Sequence, residues 1–405
     1  MSLRATSSRC AALLAGCLLI GEGAATAQVT EGGIPFGPSR LHPALTVSAI
    51  HDDNVYLTSE DETGDWITVV APTLRLELPV RRFLLEAETG LESRSYADQG
   101  GEDATNWFLG AAVGATFPGG LDFKVSERYA ERYQVASQEF GPGEDTTVNT
   151  LAATVGYRVR DELRLELGAR SETYGYDLSH DLERREATLQ ADCFWRFRPR
   201  TSAFLEGAVS DYEYDENTAQ DGSAVLAALG LAWEATSRSV ASAKVGWQWK
   251  RYDDEDPALG TEGDDYFVVT AGARHSFTRR TLAEVEVSHG SHESDYAGNP
   301  YYLRTALSAG LSQRFTTKVY GRVALRYARD AYPNDVIYEN PYDPGRGPES
   351  GERTDRTYGG SAAVGFEATR WLTLEAGWVG ERRDSSFDTF EYDDNQVSLS
   401  ARAAF

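Results

Sequence analysis

Most of the chain is a succession of long segments in which apolar and polar residues alternate. Between Leu163 and Tyr176, Leu163, Leu165, Leu167 and Ala169 point one way, and Arg164, Glu166, Arg170 and Glu172 point the other. The segment from Ala187 to Phe197 shows the same alternation with larger apolar residues. Because side chains of a β-strand point alternately to the two faces of its sheet, this period of two predicts long strands with one apolar and one polar face.

Tyrosines recur at the ends of every second segment, just before an acidic stretch. They are Tyr96, Tyr133, Tyr176, Tyr214, Tyr252, Tyr296 and Tyr332, at spacings of 37, 43, 38, 38, 44 and 36 residues. A period of about 40 residues fits either a propeller blade of four short strands or a hairpin of two long ones. The alternating runs are longer than blade strands, and no Trp-Asp dipeptide closes the repeats. We therefore predict hairpins.

The connections between the segments alternate in kind. Pairs such as Arg81-Arg82 and Pro199-Arg200 make short turns, whereas 253–265 and 333–355 are longer and acidic. Outer-membrane barrels have short periplasmic turns and longer outer loops. From Pro43 onward the sequence holds eight hairpins between a first and a last strand, or about eighteen strands. Since lipid cannot satisfy the backbone groups of an open edge, the pattern predicts a closed, antiparallel, up-and-down transmembrane β-barrel.

Aromatic residues mark both ends of the predicted strands. We interpret the repeated tyrosines as one interfacial girdle and the aromatics beside the short turns as another, an arrangement that a soluble β-sandwich would not need. The aromatics beside the short turns are Phe117, Phe197, Trp233, Phe277, Phe315 and Phe366. The last strand alternates from Val397 to a C-terminal phenylalanine. Such an ending resembles the signal read by the barrel-assembly machinery, so we predict that role for Phe405.

The N-terminus has the three parts of a secretory signal. Arg4 and Arg9 precede the apolar run Cys10–Ile20, and the small-residue pattern Ala25-Thr26-Ala27 follows. This order predicts a cleaved signal peptide, because the apolar run is too short to cross a bilayer as a helix. A lipoprotein box ending at Cys17 is the alternative, but cleavage there would divide the apolar run.

We predict a signal peptide over 1–27, a periplasmic segment over 28–42 and the barrel over 43–405, with the mature protein exported to the outer membrane. Cleavage leaves Cys193 as the one cysteine, which excludes an intramolecular disulfide. The mature charge is (39 − 2) − (63 − 1) = −25. So acidic a chain does not fit a nucleic-acid binder, which requires clustered lysine and arginine.

The polar faces of the predicted strands carry both signs of charge. In a barrel of about eighteen strands the lumen is wide enough for water, so these side chains can stay hydrated or pair across strands. We interpret the polar face as the wall of a pore that selects polar solutes by charge; the alternative is a hydrated, unselective wall. The candidate pore-lining residues are Glu86, Glu88, Glu92, Arg94, Lys124, Arg128, Arg132, Arg164, Glu166, Arg170, Glu172, Arg322 and Arg326.

Other polar groupings give no catalytic or metal prediction. His51, Asp52 and Asp53 stand at an outer strand end, but an acid–histidine protease site would need a second pair of aspartates. The stretch 253–265 lacks the ligand order of an EF-hand and predicts hydrated surface. The stretch 333–355 predicts a long loop that either folds into the lumen or covers the surface. We expect no enzymatic activity, no metal and no cofactor.

One family resemblance rests on the first two strands. The stretch from Pro43 to Tyr56 ends in Asp53-Asn54-Val55-Tyr56, and Val70-Ala71-Pro72-Thr73-Leu74 follows it. A strand running into an Asp-Asn-aliphatic-aromatic motif, followed by an apolar-x-Pro-x-Leu core, resembles the putative β-barrel porin type 2 family. The resemblance extends over the mature chain as repeated hairpins. It implies an outer-membrane barrel, and, because many relatives are linked to capsule or exopolysaccharide export, the passage of secreted polysaccharide.

Two functions from different classes fit these observations. The first is an outer-membrane channel for polar solutes, with polysaccharide as the cargo that the resemblance implies. The second is a plugged structural or adhesive barrel without transport activity. In both cases the expected partners are outer-membrane lipid, lipopolysaccharide and the barrel-assembly machinery. An export channel would add polysaccharide and periplasmic export components.

Overall fold

The computed structural model describes residues 33–137, 141–255, 260–294, 299–338 and 347–405. The predicted signal peptide and the first residues of the predicted 28–42 segment lie outside the described residues. Within the part that is described, no helix is long and apolar enough to cross a membrane.

The described residues form nineteen strands in one sheet. In chain order they are β1 (Ile34–Phe36), β2 (Ser39–Asp52), β3 (Asp65–Val80), β4 (Phe83–Tyr96), β5 (Ala104–Thr116), β6 (Leu121–Gln134), β7 (Glu144–Arg160), β8 (Leu163–Tyr176), β9 (Arg184–Arg198), β10 (Thr201–Tyr214), β11 (Gly222–Thr236), β12 (Ser239–Tyr252), β13 (Asp264–Ser276), β14 (Thr281–Glu293), β15 (Tyr301–Arg314), β16 (Val319–Tyr338), β17 (Glu349–Glu367), β18 (Leu372–Ser385) and β19 (Tyr392–Ala404).

The sheet closes on itself between its first and last long strands. Every strand from β2 to β19 pairs antiparallel with its neighbour in sequence, and β19 pairs with β2, so that Leu399 lies opposite Ala49. The eighteen strands β2–β19 therefore form a closed barrel, which confirms the predicted fold. The short strand β1 adds a hairpin to β2, which begins at Ser39 rather than at the predicted boundary, Pro43.

The register gives the barrel an apolar outer face. Leu167 on β8, Leu205 on β10 and Leu325 on β16 are 61%, 62% and 68% exposed, respectively. Leu205 lies opposite Cys193 on one neighbour and Leu229 on the other, so apolar residues continue from strand to strand. A belt of exposed apolar side chains of this kind is stable where lipid rather than water covers it.

Of the two predicted aromatic girdles, the structure has the one at the short turns but not the one made of tyrosines. At the short turns, Phe197, Trp233, Phe277, Phe315 and Phe366 are exposed on the outer face as predicted. At the other end the tyrosine girdle was wrong for most of its members: Tyr96, Tyr214, Tyr252 and Tyr332 are at most 7% exposed and occupy inner-face positions, whereas the register of β6 places Tyr133 on the outer face. The strand register places these four tyrosines on the same face as the inner charges. Tyr296 lies outside the described residues. Tryptophans take the outer positions near that end: Trp66, Trp247 and Trp378.

The repeated tyrosines begin a recurrent loop structure. The backbone N–H of Tyr96 donates to Asp103 at 2.7 Å, and that of Tyr214 donates to Asp221 at the same distance. In each of these two loops a short 3-10 turn lies between the tyrosine and the acidic residue. These carboxylates satisfy backbone donors at strand ends. The period of about 40 residues thus reflects a repeated hairpin closure.

The predicted 333–355 loop is largely β-structure, which corrects that prediction. Strands β16 and β17 extend as a hairpin until Tyr338 lies opposite Glu349. The residues between these two form the connection, and 339–346 among them lie outside the described part. The register shifts around Pro333, which has no N–H to donate to a ladder. Beyond Pro333, residues from Asp335 to Tyr338 continue the pairing with β17.

The C-terminal residue lies on the outside of the closing seam. The Phe405 N–H donates to the Pro43 carbonyl at 3.1 Å, and its half-exposed ring stacks on Trp371 with 5.8 Å between ring centroids. The ring is therefore accessible at the end of β19, as an assembly signal must be.

If Phe405 serves assembly rather than stability, Phe405→Ala will lower the amount of folded barrel in the outer membrane, measured as the heat-modifiable band on gels. Refolding of the purified variant in detergent should be unchanged. Phe315→Ala, at a turn on the same end of the barrel, is the control. An equal loss in both variants, or a refolding defect in Phe405→Ala, would contradict this role.

Candidate functional site

The inner face of the barrel is polar and charged. On β8, Arg164 and Glu166 alternate with the outward-facing Leu165 and Leu167. The same register places all thirteen candidate pore-lining residues at inner-face positions: Glu86, Glu88, Glu92, Arg94, Lys124, Arg128, Arg132, Arg164, Glu166, Arg170, Glu172, Arg322 and Arg326. That a solute contacts them stays a prediction.

Several inner charges pair across an intervening strand. Arg164 on β8 contacts Asp122 on β6 with 2.7 Å between Nη1 and Oδ1. Arg322 on β16 contacts Glu375 on β18 with 2.6 Å between Nη2 and Oε2. Arg128 on β6 likewise pairs with a glutamate on β4, Glu88. In a sheet curved into a barrel, inner side chains of next-nearest strands converge, so these pairs form on the concave side.

Glycines on the intervening strands make room for these pairs. Gly110 lies in register between Glu88 and Arg128. Gly156 lies opposite Asp122, and a Cβ there would overlap the guanidinium of Arg164. Gly365 lies opposite both Tyr320 and Glu375, and a Cβ there would overlap the Tyr320 ring, whose hydroxyl donates to Glu375 at 2.8 Å. Glycine leaves room at these positions for a side-chain pair that passes directly over the backbone.

Further charges pair within a strand or with a near neighbour. Arg170 and Glu172 are 2.7 Å apart, and Arg94 and Glu92 are 2.8 Å apart. Lys244 and Glu206, which are not among the thirteen candidates, form another pair that spans a strand. Most of the inner wall is thus locally neutral although it is rich in charge.

A few candidate residues have no counter-charge. The side chains of Lys124, Arg132 and Arg326 are exposed, and in the described ranges no carboxylate oxygen lies within 4.0 Å of their nitrogens. Among the acidic members of the thirteen, Glu86 has no arginine, lysine or histidine partner in the described ranges. Among the thirteen candidates, these four are the groups whose charge is unpaired and available to act on a passing ion.

Near the outer end of the wall, sequence reasoning missed a buried cluster. Lys250 on β12 is 1% exposed and pairs with Glu293 on β14. The Tyr214 hydroxyl donates to the same glutamate at 3.0 Å, and the Lys250 ammonium lies 4.7 Å from the centroid of the Tyr212 ring. One signal in the sequence pointed to this cluster: the tyrosines at the strand ends occupy the same alternate positions as the inward-facing charged residues.

The Asp-Asn-Val-Tyr motif holds the β2–β3 loop against the inner face. Asn54 is fully buried, and its Nδ2 donates to the carbonyls of Thr58 and Asp393 at 2.9 and 2.8 Å. Val55 packs on Ile67, an inner-face residue of β3. This loop therefore covers part of the wall from within.

The neighbouring loop between β18 and β19 also packs against the inner face. Phe387 and Phe390 are buried against Tyr332. The Arg353 guanidinium lies 3.7 Å from the centroid of the Phe390 ring and pairs with Asp355 at 2.6 Å. Both loops therefore pack against the inner face at the same end of the barrel.

The groupings considered for catalysis do not form a site. The His51 ring packs on Trp66 with 5.0 Å between ring centroids, on the outer face, whereas Asp52 points inward. A histidine and a carboxylate on opposite faces of one strand cannot share a substrate. Part of the acidic stretch 253–265 lies outside the described residues, and its Asp264 accepts a hydrogen bond from the Tyr301 hydroxyl at 2.6 Å.

A closed eighteen-strand barrel with an apolar exterior and a charged interior defines the class of outer-membrane β-barrels. Residues 29–405 match the family described as "Putative beta-barrel porin 2", and the chain belongs to that family. It is a porin-like barrel of the outer membrane, as the first two strands indicated. Among curated proteins, no relative matches the chain.

Solved structures of Pseudomonas aeruginosa porins share the fold. OccK2 (OpdF) is 11% identical, with a TM-score of 0.50 and coverage of 90% of this chain and 98% of that one. OpdQ is 12% identical, with a TM-score of 0.50 and coverage of 91% and 100%. OccK2 in complex with glucuronate gives 10% identity and the same TM-score, with coverage of 91% and 98%. At such identities the likeness shows the fold alone.

The glycine under the Arg164–Asp122 pair can be tested by adding one methyl group. Gly156→Ala should lower the free energy of unfolding by about 1 kcal/mol relative to Gly310→Ala, because it displaces a half-buried ion pair. Gly310 is the matched control, since a Cβ at that inner-face position meets no atom within 4 Å. The measurement is urea unfolding followed by tryptophan fluorescence. Equal stability of the two variants would show that the pair does not depend on Gly156.

Proposed function

We propose that this protein is a passive channel for polar solutes across the outer membrane. The observation that carries the proposal is the inner wall, where ionised side chains recur on strand after strand while apolar side chains face out. A wall of hydrated, mostly paired charges favours water and polar solutes over apolar ones. Barrels of about this strand number enclose an aqueous lumen.

Selectivity follows from the free inner charges rather than from the net charge. Of the chain's net charge of −24, a large part lies in acidic residues of the outer loops, where salt screens it over roughly 8–10 Å. Lys124, Arg132 and Arg326 are exposed on the inner wall without a carboxylate partner in the described residues. These cations lower the energy of an anion at their level of the lumen. We infer a wall that passes small anions more readily than the acidic composition suggests.

Reversing one of these charges should shift ion selectivity. In planar bilayers under a salt gradient, Arg326→Glu should move the reversal potential toward cation selectivity. Arg329→Glu is the matched control, because Arg329 lies on the same strand but faces outward. Equal shifts in the two variants would contradict the assignment of the inner wall. A wild-type protein that never conducts would instead support the plugged structural or adhesive barrel, in which the inward-packed loops close the entrance.

The finer proposal is that the solute is a secreted polysaccharide, as the family resemblance implies. A band of inward tyrosines near the outer end supports it, because sugar rings stack on aromatic faces. Tyr174 and Tyr212 belong to this band, at inner-face positions of β8 and β10. These rings offer apolar contact beside the charged groups that would bind hydroxyl or carboxylate substituents.

Transient current block distinguishes this cargo from small ions. Oligosaccharides added to the bilayer chamber should interrupt the single-channel current, and Tyr174→Ala should shorten the blocks at unchanged conductance. Tyr129→Ala is the control, because that ring packs on Trp107 on the outer face. Conductance without any sugar block would refute the polysaccharide proposal and leave the channel for small polar solutes standing.

A further inference from the structure

Three carboxylates meet at the seam where the barrel closes. Asp52 ends β2, Asp53 follows it, and Asp394 lies near the start of β19. One oxygen from each lies within 4.8 Å of the other two. Oxygens that bind one Ca²⁺ at about 2.4 Å are at most about 4.8 Å apart, so the three groups satisfy the distance limit for a shared ion.

The buried oxygen of Asp394 is a second, separate observation. Asp394 is 7% exposed, and its Oδ1 is buried without a hydrogen-bond partner. Its Oδ2 accepts a hydrogen bond from Gln396 Nε2 at 3.1 Å. An unpartnered carboxylate oxygen inside a protein costs free energy unless a cation or a donor occupies the space before it.

The surrounding groups orient the carboxylates without neutralising them. Asp52 accepts hydrogen bonds from the Asn54 N–H and from Gln396 Nε2, both at 2.9 Å. Asp53 accepts two from Asn395, one from its backbone N–H at 2.6 Å and one from its Nδ2 at 3.2 Å. Across the described ranges, no arginine, lysine or histidine nitrogen lies within 4.0 Å of any of the three carboxylates. Three acidic groups this close need a cation or shared protons to coexist.

We propose that Asp52, Asp53 and Asp394 bind a divalent cation, Ca²⁺, that holds the two ends of the chain together. An all-oxygen ligand set suits this hard ion, and the half-exposed Asp53 leaves room for water ligands. Asp394 and Asp52 belong to the last and first long strands, which otherwise meet through backbone hydrogen bonds and side-chain amides. The ion acts as a clamp at the seam. Its binding does not depend on what the lumen conducts.

Calorimetric titration of the purified, EDTA-treated barrel in detergent with CaCl₂ tests the site. The wild type should bind one ion per chain, and Asp394→Asn should weaken the affinity roughly tenfold or more, since it removes one of three carboxylate ligands. Asp53→Asn is the second variant, because its half-exposed side chain can be changed without disturbing the packed interior. Asp215→Asn, an exposed aspartate of another loop, should bind like the wild type.

A second readout is the temperature at which the folded band is lost on gels. Calcium should raise it for the wild type and Asp215→Asn, and not for Asp394→Asn or Asp53→Asn. A wild type without saturable calcium binding would overturn the proposal. That result is expected if the three carboxylates share protons instead of binding an ion. Wild-type affinity in both site variants would overturn it too.

Discussion

Backbone hydrogen bonding in lipid is the constraint on which the rest of the structure depends. Each N–H and C=O within the bilayer must find a partner inside the protein, and a sheet achieves this only by closing. Closure between β19 and β2 removes both edges and fixes the register of the whole ring. Once the register is fixed, every second residue faces lipid and the others face the lumen. The exposed leucines and the inner charges are two consequences of that one closure.

The curvature of the closed sheet then determines how the inner charges combine. Side chains of next-nearest strands converge over glycine, so that Arg164 reaches Asp122 across Gly156. Pairing leaves most of the wall charged in composition but nearly neutral in effect, so the unpaired groups, such as Arg326 and Glu86, determine the potential close to them. Many outer-loop acids have a different use, because carboxylates such as Asp103 bond the backbone donors of their loops. Net charge is therefore a poor guide to selectivity here.

The alternation along the chain was sufficient to predict the strands, their number and the outward face. The tyrosine girdle failed, although the phase was readable: Tyr96 shares its face with Arg94 rather than with Leu91. The ion pairs between next-nearest strands could not be predicted from the sequence, because they depend on the stagger of the strands and the curvature of the sheet rather than on the alternation of residues. The seam carboxylates were out of reach for a similar reason, since Asp52 and Asp394 meet only when the ring closes.

The central claim is that the inner face borders a water-filled path. The direct test replaces Arg326 with cysteine in a Cys193→Ser background and applies a charged, membrane-impermeant thiol reagent during single-channel recording. Modification should reduce the current in steps, whereas Arg329→Cys in the same background, facing outward on the same strand, should give no change. A protein that does not conduct, or a current that is equally insensitive at both positions, would contradict the claim.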